Sequence, residues 1–308
     1  MASAIIRRAL TSLLVIIGSL VLVFFILYLL PGDPVLAMLD GVSASPEAVQ
    51  NLRQQLGLDK PLGIQFAHYF WDMIRGDFGK SLVNGDPVLP KIWEQLPATV
   101  ALTAASSLVS IAIGVLLGVL SAVHHNRFID IIARIVSLFG ISTPTFWSGI
   151  LLILIFSVQL HWFPAMGSDG FSTLILPALA LGFVTSGFIV RMVRNSMLDV
   201  IHEQFIVTLR SKGLPERIIM YRHALRNALI PAITMLGVQV GELLAGAVVI
   251  ETVFSRQGVG RLLADAITAK DLPVVQGIIL FTAVMYVLVN LLVDVSYSAI
   301  DPRVRRSA

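Results

Sequence analysis

The chain has 308 residues, of which 56% are hydrophobic and 13% charged, and its formal net charge is +3. With a mean hydropathy of +0.85, this composition excludes an ordinary soluble domain and indicates a polytopic membrane protein. The absence of cysteine excludes disulfides and thiolate metal sites.

The first element is an uncharged run over residues 9–32, preceded by Arg7 and Arg8. It exceeds the roughly 20 helical residues that cross a bilayer. It ends in Leu-Leu-Pro-Gly-Asp-Pro rather than a small-x-small cleavage site, so it reads as a retained span and not a signal peptide. Residues 31–95 form the longest connecting segment. In "SPEAVQNLRQQLGL", Ser45 is the expected N-cap and Pro46 the first helical residue, with Val49, Leu52 and Leu56 at helical spacing. "FAHYFWDMI" sets Tyr69 and Trp71 among apolar residues, the pattern of a helix lying at a membrane surface.

Five further spans follow. Residues 95–123, 135–160 and 170–190 carry no charge, 227–250 is interrupted only by Glu242, and 272–300 only by Asp294. Pro97, Pro144 and Pro177 fall in or at the ends of spans, where neighbouring helices can satisfy the freed carbonyls. Gly114-x-x-x-Gly118 permits close helix approach, within the chain or to a partner. The expected division is residues 1–95, the first span plus an external segment, and residues 96–308, a five-helix core with a hairpin at 199–227.

Basic residues set the orientation. With the amino terminus inside, the inner segments hold Arg7, Arg8, Arg127, Arg134, seven between Arg191 and Arg226, and Arg303, Arg305 and Arg306. The outer segments hold five in residues 31–95, none in 161–173 and three in 251–271, while the acids divide the other way. This bias places both termini in the cytoplasm. The net charge thus reflects topology, with no nucleic-acid footprint.

Catalytic motifs are incomplete. "HEQFI" begins like a zinc-binding HExxH helix, but Ile206 stands where the second His is required, so His202 reads as a surface residue. "GDFGKS" ends like a phosphate loop, yet Ile74 stands where its first glycine would be. His124 and His125 lie at a membrane edge beside Arg127. A membrane enzyme would have to rest on isolated hydroxyls.

The stretch "EQFIVTLRSKGLPERIIMYRHALRNALIP", Glu203 to Pro231, carries Arg210, Lys212, Arg217, Arg222 and Arg226. Glu203–Ser211 reads as a short helix, Gly213 as the left-handed residue that ends it, and Pro215 as part of the next first turn. Such a hairpin faces either anionic lipid heads or a soluble partner.

Glu203, Thr208, Gly213 and the trailing "HALRNALIP" resemble the EAA signature of binding-protein-dependent ABC importer permeases. "LLPGDPV", "LGLDKP", "GDFGKS", "GAVVIETVFS", "PVVQG" and "VDVSYSAIDPRVR" are similar to segments of the DppB/OppB-type dipeptide and oligopeptide permeases, so the likeness runs from about Arg7 to Arg305. The resemblance implies an all-α polytopic membrane protein of the bacterial inner membrane, with six transmembrane helices in the type I ABC importer permease fold. It implies that Glu203–Gly213 is a cytoplasmic coupling helix, with Glu203, Thr208, Lys212, Gly213 and Leu214 at the ATPase contact. The implied partners are a second homologous permease subunit of the DppC/OppC type, two ATPase subunits or one fused pair, and an extracytoplasmic peptide-binding protein. ATP and Mg would be bound by the ATPase subunits, and this chain would be no enzyme and hold no cofactor. Glu242 and Gln239 are the expected residues of the translocation path. Nickel or another small solute is the alternative cargo, and a membrane enzyme or signalling scaffold the alternative class. Two departures stand out: Leu209 and Ser211 replace two alanines usual in the family, and Arg256-Gln257 replaces an apolar residue and proline, which leaves the shape of that loop open.

Overall fold

A computed structural model describes residues 2–29, 35, 46–55 and 57–300. The described elements are helical, with one isolated antiparallel bridge, Lys80 to Pro87. The chain forms two compact units, residues 1–96 with 262–288, and residues 97–261 with 289–308.

In the first unit, α1 (Ala2–Leu29), α2 (Pro46–Gln55) and α3 (Leu62–Ile74) precede the start of α4 (Val88–Val123). Pro46 opens α2 as expected, whereas Ser45 lies outside the described residues. The ring of Phe24 in α1 meets Phe66 edge-on at 5.2 Å and Tyr69 at 5.5 Å, while α3 leaves Leu62, Ile64, Trp71 and Ile74 exposed. An amphipathic helix with that outer face suits the boundary between lipid and water. The GDFGKS loop is a structural corner. Ser81 Oγ and the Leu82 N–H both donate to the carboxylate of Asp271, and Phe78 packs against Gly277.

The second unit contains the rest of α4, then α5 (Phe128–Ser142), α6 (Thr145–Leu152), a π-helical stretch (Ile153–Gln159) and α7 (Ser172–Ile201). After the short α8 (Gln204–Ser211) come α9 (Glu216–Ile218), a second π-helical stretch (Ile219–Ala224) and α10 (Leu225–Val253). The last helices are α11 (Val259–Thr268) and α12 (Leu272–Ile300).

One expected span is corrected. Residues 135–160 do not form one straight helix, because α5 and the α6–π segment meet at a bend of 108°. Pro144 supplies no N–H, and it disfavours helical backbone in the residue before it. Thr143 accordingly takes φ −83°, ψ 125°, and α6 starts afresh after Pro144. Among the described residues, α4, α7 and α12 are long and apolar enough to cross a membrane, with the bent pair as a fourth span. Within α1, Leu10–Phe25 is a shorter apolar stretch.

Helix α7 is more buried than α4 and α12. A Cβ on Gly114 would lie 2.5 Å from Ile189, and one on Gly118 would lie 2.8 Å from Val193. The Gly-x-x-x-Gly pair therefore serves contact between α4 and α7 of the same chain. Two apolar clusters fill the unit. Leu102, Leu176, Leu181, Leu243, Ile250 and Phe254 form one. Val119, Ile189, Val193, Met197, Ile206 and Ile219 form the other. Leu108, Leu116, Ile135 and Leu138 remain exposed, as expected of side chains facing lipid or another subunit.

Candidate coupling site

The basic hairpin is held by its apolar residues. Ile206 of α8 and Ile219 beyond the turn are fully buried with Met197 and Val193 of α7, and Leu209 and Leu214 pack against the same cluster. Burying one such aliphatic side chain contributes about 2 kcal/mol. The anchor therefore fixes the hairpin without using its polar groups.

The turn follows from three residues. Glu203 sits at the N-cap with extended backbone (φ −69°, ψ 148°), and Lys212 closes α8. Gly213 takes φ +76°, the left-handed region, while its N–H bonds Arg210 O at 2.9 Å and the Leu214 N–H reaches Leu209 O at 3.3 Å. Glycine is required there for its backbone alone, since an added Cβ would meet nothing within 4 Å. Pro215 is the cap of the next segment, one residue earlier than expected, and Glu216 is its first helical residue. Arg210 Nε pairs with Glu216 Oε1 at 2.6 Å across the turn.

The outer surface is mixed. Glu203, Thr208, Lys212 and Arg217 are exposed, and so are Phe205, Val207, Ile218 and Tyr221. Of the five residues expected at the contact, four lie on this surface and Leu214 is half-buried beneath it. Exposed aromatic and aliphatic side chains interspersed with charges are the composition of a docking surface.

Near the end of α7 that leads into the hairpin lies a cluster that sequence reasoning missed. Asp130 is fully buried, and Arg194 of α7 donates to both its oxygens, Nε to Oδ1 at 2.8 Å and Nη2 to Oδ2 at 3.0 Å. Ser121 Oγ and the Asn126 N–H complete the carboxylate's shell, and His125 Nδ1 lies 3.2 Å from Arg194 Nη2. Bidentate pairing fixes orientation as well as energy. The cluster thus locks the α4–α5 corner to α7 just where α7 leads into the hairpin. The only signal in the sequence was an acid at the start of a helix beside a pair of histidines.

The expected path residues separate. Glu242 of α10 is exposed, whereas Gln239 is buried and its Nε2 donates to the Thr185 carbonyl of α7 at 3.3 Å. The α10 end remote from the hairpin carries a second missed carboxylate. Glu251 is fully buried and accepts from Thr99 Oγ1 at 2.6 Å, the Gly260 N–H at 2.8 Å and the Arg261 N–H at 3.1 Å. These two N–H groups belong to the first turn of α11, so Glu251 caps that helix from the end of the preceding one. Gly258 is needed for close approach, because a Cβ there would fall within van der Waals contact of the Glu251 carboxylate.

Comparison with known proteins gives this arrangement its family. Residues 114–306 match the binding-protein-dependent transport system inner membrane component, and residues 1–103 match the N-terminal component of such membrane proteins. The chain belongs to this family of transport permeases. It is 39% identical to the dipeptide transport system permease protein DppB of Alkalihalophilus pseudofirmus, over 97% of this chain and 98% of that protein. It is 41% identical to the glutathione transport system permease protein GsiC of Escherichia coli strain K12, over 99% of each. The fold is similar to that of the MetNI methionine ABC transporter in an inward-facing conformation, with TM-score 0.55 and 18% identity over 68% of this chain and 96% of that one. It is similar also to an amino acid ABC transporter solved with histidines, with TM-score 0.52 and 16% identity over 70% of this chain and 94% of the other. The permease is therefore a multi-pass membrane protein with the type I ABC importer permease fold.

Proposed function

We propose that this permease is a membrane-spanning subunit of an ATP-driven importer of dipeptides and oligopeptides and forms half of its translocation path. The observation that carries the reading is its similarity, over nearly its whole length, to dipeptide and glutathione permeases. ATP and Mg bind to separate ATPase subunits, and this chain hydrolyses nothing. A second permease subunit completes the translocation path, and an external binding protein delivers the peptide. The hairpin, with Glu203, Thr208, Lys212, Gly213 and Leu214, lies in the cytoplasm and docks in the ATPase. Both chain termini lie on that side, the side to which the basic residues assign them.

The mechanism is alternating access. Closure of the ATPase dimer on ATP moves the docked hairpin, and the buried Ile206 and Ile219 transmit that movement to α7 and α10, against which they pack. Hydrolysis returns the inward-facing state. Glu242, exposed on α10, lines the path and attracts the ammonium or basic side chains of cargo. Gln239 joins the path only when α10 separates from α7, because it is now bonded between them.

The test is reconstitution with the partner subunits in vesicles. Binding protein loaded with Ala-Ala is expected to stimulate ATP turnover and to drive accumulation of the dipeptide. A complex that turns over ATP with loaded binding protein but accumulates no peptide would sink the reading.

A further inference from the structure

The loop at the far end of α10 buries a guanidinium with one donor unmet and one only weakly met. Arg256 is only 5% exposed. Its Nε is enclosed and meets no acceptor among the described residues, and its Nη1 reaches Thr173 Oγ1 only at 3.4 Å. The neighbouring Glu251 attracts the guanidinium by charge but makes no hydrogen bond to its side chain. The Glu251 carboxylate accepts from Thr99, Gly260 and Arg261, and the Arg256 side chain is not among its donors. A buried guanidinium without a planar acceptor is costly, and its fork of donors matches a carboxylate in two parallel bonds.

We propose that Arg256 is a recognition site for the carboxylate of a peptide in transit, closed over in this conformation. The proposal rests on the peptide-import reading above. Three observations shape it. The site lies at the end of α10 opposite the coupling hairpin, where cargo would enter. The Glu251 carboxylate nearby disfavours a phosphate dianion more than a monoanion such as a carboxylate. The cover is light: the segment before α7 is tied to the Arg256 loop by the Gln257 N–H to Ser168 Oγ at 2.7 Å and the Gly167 N–H to Phe254 O at 3.2 Å. Parting those bonds exposes the guanidinium without unmaking the Glu251 cap.

The experiment compares Ala-Ala with its C-terminal amide as cargo for the reconstituted complex, each at concentrations that saturate the binding protein. Wild type, Arg256→Lys and Arg256→Met are assayed. The Met variant is expected to lower the uptake rate of the free acid about tenfold, the loss of a charged hydrogen bond, and to change uptake of the amide less than twofold. Lys, which keeps the charge, is expected to restore most of the acid uptake. An equal change for both cargoes would make Arg256 a structural counter-charge and overturn the proposal. Should the Met variant fail to assemble, modification of Arg256 in wild type by phenylglyoxal, followed by mass spectrometry, decides the matter. Ala-Ala is expected to slow that modification and the amide to leave it unchanged, while equal rates with both would overturn the proposal. A wild-type complex that accumulates neither cargo would sink the peptide reading itself, a different failure from equal loss in the variant.

Discussion

The helical run that ends in α10 lies between two turns, the hairpin before it and the loop after it, and the two are held by opposite means. At the hairpin, apolar residues point inward, with Ile206 and Ile219 fully buried, while Glu203, Arg210, Lys212 and Arg217 stay in solvent. At the far loop the polar groups themselves are inside. Glu251 and Arg256 are both buried, and the loop wraps around the carboxylate of the first. A charged group in solvent costs nothing to maintain, whereas a buried one must be satisfied by fixed donors. The hairpin therefore keeps its polar surface free for another molecule. The far loop uses the Glu251 carboxylate to hold its own shape and leaves the Arg256 guanidinium short of partners.

Substitutions can break or sharpen that contrast. Glu251→Ala is expected to have the largest effect on stability. It strands the Thr99 hydroxyl and the two N–H groups of α11, at a cost of about 3 kcal/mol. Thermal unfolding in detergent, followed by tryptophan fluorescence, measures it. A melting temperature equal to wild type would show that the far loop does not depend on its carboxylate.

Gly213→Val comes next, and its effect is local. The cost of a β-branched residue at φ +76° is about 1–2 kcal/mol, and no side chain obstructs the new atoms. ATP-driven uptake is expected to fall by at least tenfold with membrane insertion unchanged, and Gly213→Asn, which tolerates the left-handed region better, is expected to recover part of it. Full uptake by the valine variant would mean that the turn transmits nothing.

The smallest effect is predicted for Arg210→Ala. Its partner Glu216 and Arg210 itself are 58% and 40% exposed at the side chain, so the pair contributes within about 0.5 kcal/mol. If this variant unfolds as easily as Glu251→Ala, the hairpin is part of the core and the contrast fails.

Most of the architecture could be read from local pattern. Uncharged runs locate the helices because a charge in hydrocarbon is costly wherever it falls. Gly213 followed by Pro215 marks the hairpin break because backbone preference belongs to the residue. The bend at Pro144 was not legible in the same way. Proline occurs both in continuous membrane helices and in broken ones, as its unbroken place within α7 at Pro177 illustrates, and neighbouring packing decides between them.

The two missed carboxylates mark the same limit. Asp130 and Glu251 stood in the sequence as acids near helix ends, with no sign of being fully buried. Arg194 lies 64 residues from Asp130, and Thr99 lies 152 residues from Glu251. The sequence by itself determined where the apolar helices lie, where the hairpin turns and which family the chain belongs to, because those depend on local composition and motif. Only the tertiary structure decided that Ile206 anchors the hairpin, that Glu251 is satisfied and that Arg256 is not. Burial and hydrogen bonding depend on which distant residues the fold brings together.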